Sequence, residues 1–244
     1  MLPLRDANPT RITPYVTIGL IVVNIVVFFL IQGRGDAAQE QEFVYERAAI
    51  ACEVTTGDPL GVDEIVGGQC IDGAQSPIFP GKNVYLAVFT SMFLHGSIGH
   101  LLFNMWFLWI FGNNVEEAYS HFGYLLVYIV GGLVATAAYI GTNLDATVPL
   151  VGASGAIAAI MGAYLVLFPK HRVTSLVGWF IIPLPAAVFL VIWFAFQFGL
   201  AGSNVAWEAH AGGFIFGVAV SLLFRSRLLG RVGGVGGSRQ PPRT

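Results

Sequence analysis

The chain has 244 residues, of which 55% are hydrophobic and 11% charged, against about 25% charged in soluble domains. With a mean hydropathy of +0.71, this excludes a soluble globule and points to one membrane-embedded bundle. The formal net charge of −2 gives no support for a nucleic-acid-binding surface or a polyanionic tail.

Crossing about 30 Å of hydrocarbon at about 1.5 Å per residue takes about 20 apolar residues. Six runs approach that length, so the expected fold is all-α, a polytopic bundle of six transmembrane helices. The first run is 15–32. Its apolar core exceeds the usual 7 to about 15 residues of a signal peptide, and its exit is a poor cleavage site, so it reads as a retained anchor. A polar first loop, about 33–83, follows and contains both cysteines, Cys52 and Cys70. Such a pair invites a disulfide worth about 3 kcal/mol in the chain-entropy picture, with two free thiols as the alternative.

The second run, 84–111, is too long for one span. Its first part, 84–94, reads as an interfacial or re-entrant approach, and 97–111 as the span itself. The remaining runs are 122–140, 154–168, 177–200 and 207–224, and the Gly-, Pro-, Ser- and Arg-rich segment 225–244 is expected to be a disordered tail. Nine of the twelve Lys and Arg residues lie in segment 1–14, in the loop after the fourth run and in that tail. The positive-inside rule therefore puts both termini in the cytoplasm, the first loop outside and the chain in the cell membrane.

Polar side chains inside apolar runs are costly and usually functional. Ser154 opens the fourth run, His210 lies near the start of the sixth, and His95, His100 and Asn104 lie at the start of the second span. In a six-span arrangement these three starts share one side of the membrane. His100 and Asn104, four apart, share a helix face. Small residues line the same faces as the two reactive groups: Ala158 and Gly162 follow Ser154, while Ala206, Gly213 and Gly217 flank His210. Small stripes let helices approach closely in lipid, which brings a hydroxyl nucleophile within reach of an imidazole base.

The Ser154 amide, unpaired at a helix N-terminus, and the side chains of His100 and Asn104 are then candidate donors to an oxyanion. Glu208 should face elsewhere, so a Ser–His dyad is expected without an acidic third member. The fourth run, 154–168, is only about 22 Å long, which sinks the serine below the outer surface. A polar cavity lined by irregular backbone at 141–153 should then admit water.

These motifs resemble the rhomboid family of intramembrane serine proteases, in its six-span prokaryotic form. The stretch His95-Gly-Ser-Ile-Gly-His100-Leu-Leu-Phe-Asn104 is similar to the family's His, His and Asn motif. Gly152-Ala-Ser154-Gly155 resembles its nucleophile motif, and His210-Ala-Gly-Gly213 with Gly217 its last-span motif. The resemblance implies Ser154 as nucleophile, His210 as general base, and His100, Asn104 and the Ser154 amide as oxyanion donors. It further implies transmembrane segments of other proteins as substrates, access beside the fifth span, and no metal or organic cofactor. Two departures stand out. Ala158 occupies the place where family members often stack an aromatic ring on the histidine, and the first loop lacks their Trp-Arg pair. The alternative reading is a catalytically silent relative that binds membrane clients without cutting them; such proteins typically lack the Ser or the His.

Overall fold

The computed structural model describes residues 1–32, 35–71, 76–199 and 205–233. Strand β1 (Leu2–Asp6) precedes helix α1 (Tyr15–Val26), which continues as a π-helical stretch, Val27–Gln32. The first loop folds as three short helices, α2 (Ala37–Arg47), α3 (Ala51–Thr56) and α4 (Val62–Gly67). Helix α5 (Val84–Thr90) and a 3₁₀ turn, Ser91–Phe93, form the expected approach to the second span.

Helix α6 (Ile98–Thr142) is two helices joined at Ser120, the only non-glycine residue with positive φ (66°) among the described residues. The turn divides it into 98–119 and 121–142, each about 33 Å long and sufficient for a crossing. Helices α7 (Ser154–Leu167) and α9 (Trp207–Gly233) complete the core. Three helices, Tyr15–Gln32, Ile98–Thr142 and Trp207–Val232, are long and apolar enough to cross a membrane. The chain is a polytopic helical membrane protein.

Burial follows from sequence period. In the first part of α6, Leu101, Asn104, Met105, Leu108 and Phe111 are buried, while Leu102, Phe103, Trp106 and Trp109 are exposed. This is one helical face toward the bundle and another, equally apolar, toward lipid. Helix α7 has no such division and is buried almost throughout, as expected of a helix surrounded by others. Its start faces glycines of α9: a Cβ on Gly213 would fall on the Gly155 carbonyl, and one on Gly217 on the Ala159 carbonyl.

Helix α1 begins after Pro14, which offers no side-chain cap. Glu116 of α6 supplies it, accepting hydrogen bonds from the Val16 amide (2.9 Å) and from the Thr17 amide (2.8 Å) and hydroxyl (2.6 Å). A fully buried carboxylate is tolerated there because orphan N–H groups and the positive helix end surround it.

The fifth run differs from expectation. Instead of one span over 177–200, it begins at the last residue of strand β2 (Arg172–Val177) and continues as strand β3 (Phe180–Pro185) and a helix α8 restricted to Ala186–Phe198. The strands form an antiparallel sheet in the order β1-β2-β3, closed by a tight turn with Gly178 at φ 59°. Hydropathy cannot distinguish an apolar hairpin from an apolar helix, but Pro183 and Pro185 exclude a helix interior and suit an edge strand. Segment 1–14 is thus partly structured, with Leu2 opposite Leu176 and Asp6 opposite Val173. Likewise the last helix runs past the expected boundary at 225 to Gly233, and only the remainder of the tail, 234–244, lies outside the described residues.

The first loop is tied together by a Cys52–Cys70 disulfide, as its cysteine pair suggested. Beside it lies an ion pair between Lys82 and Glu53, with side chains 1% and 2% exposed. Burial pushes the Glu53 carboxyl up and the Lys82 ammonium down from their ordinary values, each opposed by the other's charge. Removing one partner strands the other charge. Lys82→Met is therefore expected to destabilise by about 3–5 kcal/mol, and Lys82→Met/Glu53→Leu to recover much of that, as read by thermal unfolding in detergent.

Candidate active site

The loop between α6 and α7 is held from the first loop. The Leu150 amide donates to the Ala49 carbonyl (2.8 Å), and the Cys52 amide to the Ala146 carbonyl (3.0 Å). Next comes Gly152, with φ +125°, whose amide donates to the Ser91 carbonyl (2.9 Å). A Cβ at Gly152 would be strained and would lie 2.8 Å from His100 Nε2 and 3.6 Å from Asn104 Nδ2. Only glycine lets this backbone pass so close to both side chains. Ser154 follows as the first residue of α7, where backbone amides lack intrahelical acceptors.

His210 lies in the first turn of α9. The glycine contacts between α7 and α9 bring its ring to the serine, with Nε2 and Ser154 Oγ 2.9 Å apart. The two side chains that the sequence suggested would meet are therefore within hydrogen-bond distance. Among the described residues, neither Asp nor Glu hydrogen-bonds His210, and Glu208 instead accepts a long bond from Asn143 (3.4 Å).

His100 and Asn104 stand on the first turns of α6, which Ser97 caps by accepting from the His100 amide (3.1 Å). Asn104 Nδ2 is buried with no hydrogen-bond partner among the described residues. Buried donors without acceptors are uncommon and call for explanation. His95 is fully buried beside His100, ring centroids 5.1 Å apart, and its backbone is gripped by Gln32, whose Oε1 accepts from the His95 amide (3.0 Å). It supports the neighbouring imidazole and does not reach the serine.

Two spaces meet at Ser154 and His210. A cavity of about 890 Å³ is lined by His100, Asn104, Ser154 and His210 together with polar side chains such as Thr136 and Asn143. Residues 148–152 line it too, as expected for the irregular backbone before α7. On the other side an apolar slot of about 150 Å³ is walled by Phe103, Phe107, Ile157, Met161 and Trp193, and also touches Ser154 and His210.

Sequence reasoning missed Gln197. Its Oε1 lies 2.7 Å from His210 Nδ1. Gln197 is the one amide side chain in Ala186–Phe198, and a lone polar group in an apolar helix was the available signal. Trp193, one turn earlier, puts its ring 6.1 Å from the imidazole at 37°. This aromatic neighbour comes from α8, whereas Ala158 of α7 contributes only a methyl group.

Comparison with known proteins agrees with this architecture. A Rhomboid domain matches residues 82–227. The chain is 30% identical over 145 residues to rhomboid protease GluP of Bacillus subtilis, covering 59% of this chain and 27% of that protein. It is 29% identical over 231 residues to RHOMBOID-like protein 6, mitochondrial, of Arabidopsis thaliana, covering 90% and 71%. Against Rhomboid protein 1, mitochondrial, of Saccharomyces cerevisiae, identity is 27% over 142 residues, with 54% and 40% covered. The chain thus spans well under two thirds of the first and third of these relatives. Since the domain match takes in more than half of its residues, the chain belongs to the rhomboid family.

Proposed function

We propose that this rhomboid is an intramembrane serine endopeptidase that cleaves transmembrane segments of other membrane proteins. The observation that carries the reading is the 2.9 Å contact between His210 Nε2 and Ser154 Oγ, both lining a cavity that His100, Asn104, Thr136 and Asn143 also border. In this reading Ser154 attacks the scissile carbonyl while His210 takes its proton as general base. The carbonyl carbon becomes tetrahedral and its oxygen negative. Asn104 Nδ2, otherwise a buried donor without an acceptor, hydrogen-bonds that oxygen together with His100 and the Ser154 amide. His210 then protonates the departing amine, leaving an acyl-enzyme on Ser154. Water from the large cavity, activated by the same imidazole, releases the acid and restores the serine.

Substrate class follows from the surroundings. Ser154 and His210 border both a cavity lined in part by polar side chains and an apolar slot that includes Trp193 of α8, so a segment arriving from lipid would meet the serine from the slot while water reaches it from the cavity. Exposed backbone carbonyls are needed for attack, which favours segments that unwind at small or helix-breaking residues. Orientation is proposed from charge: Arg225 donates to the Val166 carbonyl and Arg231 to the Tyr119 carbonyl, so basic residues gather at one end of the bundle. By the positive-inside rule that end, with both termini, is cytoplasmic, and the enzyme acts in the cell membrane.

The test uses the purified chain in liposomes with a fluorophosphonate probe and a single-span substrate rich in small residues near one membrane face. A covalent adduct on the peptide containing Ser154 and cleavage within the span are expected. A chain that neither takes up the probe nor cuts the substrate would be a silent relative, and the reading would fall.

A further inference from the structure

We propose that Gln197 is a positioning residue that fixes the tautomer of His210, so that Gln197, His210 and Ser154 form a neutral hydrogen-bonded relay. The inference rests on the protease reading of the Ser154–His210 pair.

A neutral imidazole carries one N–H and one lone pair, on opposite nitrogens. To act as base toward Ser154, His210 must present the lone pair at Nε2 and hold its proton at Nδ1. Gln197 Oε1, 2.7 Å from Nδ1, is an acceptor with no proton to give. With the proton on Nδ1, the amide oxygen receives a hydrogen bond and Nε2 is free to accept from the serine hydroxyl. With the proton on Nε2, the Nδ1 lone pair would point at the Gln197 oxygen lone pairs, and the productive arrangement would be lost.

The amide is itself oriented. Gln197 Nε2 donates to the Trp193 carbonyl one turn earlier on α8 (3.0 Å). Flipping the amide would set carbonyl against carbonyl there and present N–H groups to Nδ1. Since Gln197 is only 4% exposed, bulk water cannot replace either bond. Directional hydrogen bonds thus run from a backbone carbonyl of α8, through Gln197 and His210, to the hydroxyl on α7.

An amide suits this place physically. A carboxylate would do the same job with a stronger hold on the imidazolium, but an ion in apolar surroundings costs far more than a satisfied amide. Here Phe103, Phe107 and Trp193 wall the slot next to the dyad. Because Gln197 belongs to α8 and not to the two helices carrying the dyad, the base is oriented only while α8 stays packed against α9. Displacing α8 to admit a substrate would break the 2.7 Å bond, and its return would re-form it around the bound segment.

The test reads the tautomer directly, since proton positions on histidine require measurement. In liposomes, the ¹⁵N spectrum of histidine-labelled protein should contain a protonated Nδ1 and an unprotonated Nε2 assigned to His210 by their loss in His210→Ala. Gln197→Leu is expected to scramble that tautomer and to lower kcat about tenfold, one hydrogen bond's worth, with KM unchanged. Gln197→Glu keeps an acceptor oxygen for Nδ1 while giving up the N–H to the Trp193 carbonyl, and should recover the tautomer and most of the lost kcat. A wild-type His210 protonated at Nε2 would overturn the proposal, as would equal defects in Gln197→Leu and Gln197→Glu, or a Gln197→Leu protein unchanged in tautomer and kcat. The spectrum needs no substrate. A chain with the stated tautomer and its Gln197 dependence that never cleaves would refute the protease reading and leave this assignment standing.

Discussion

Ser154→Ala and His210→Ala are each expected to lower cleavage of a transmembrane substrate by about 10⁴-fold or more, and the double variant by no more than either alone. The two side chains act as one unit: the hydroxyl is a poor nucleophile without a base, and the imidazole has no proton to take without the hydroxyl. Once one is gone, removing the other takes away nothing that still works. The remaining donors, His100, Asn104 and the Ser154 amide, would act on whatever slow attack by water persists. Kinetic measurement in liposomes distinguishes this from two independent contributions, which would multiply to a far larger loss in the double variant. Substantial cleavage by Ser154→Ala would place the nucleophile elsewhere. Loss confined to Ser154→Ala, with His210→Ala near wild type, would mean that the 2.9 Å contact is structural and the base lies on another element.

The parts of this site that sequence made legible are those encoded by local spacing. His100 and Asn104 share a face because they are four apart on α6, and the glycines near Ser154 and His210 announce a close helix pair. The starts of three apolar runs, placed on one side of the bundle, suggested that these groups meet, and Ser154, His210, His100 and Asn104 do border one cavity. Gln197 was not legible in the same way. Nothing in its immediate neighbours indicates His210, since their meeting depends on how α8 crosses α9, a tertiary property. The fifth apolar run was misread for a different reason. Val177, Phe180, Ile181 and Ile182 have the hydropathy of a span, yet β-branched and aromatic residues interrupted by Pro183 and Pro185 make a hairpin. Hydropathy reports transfer out of water and is silent about backbone conformation. The partner of that hairpin, Leu2–Asp6, lies far away in the chain, so pairing could not be inferred from either segment alone. The disulfide was intermediate: two cysteines in one loop suggested it, and only the fold of α3 and α4 brought them together.

Gly217→Leu should lower the rate of fluorophosphonate labelling of Ser154 by about 100-fold or more. A Cβ at Gly217 would fall on the carbonyl, Cα and backbone carbon of Ala159, and backbone atoms cannot move aside by a rotamer change. Helices α7 and α9 would have to separate or slide, and a misplacement of about 1 Å can cost about 10²-fold in rate. Ser154 and His210 stand on opposite sides of this contact, so their 2.9 Å approach would open with it. Gly217→Ala should act in the same direction and less severely. Gly19→Leu provides the contrast, because a Cβ there meets nothing within 4 Å and leucine favours helix over glycine by roughly 1 kcal/mol. Its labelling rate should match wild type and its thermal stability should not fall. If Gly217→Leu labelled as fast as Gly19→Leu, the glycine contact would not be what holds the dyad together, and the catalytic geometry would have to be maintained by α8 through Gln197 instead.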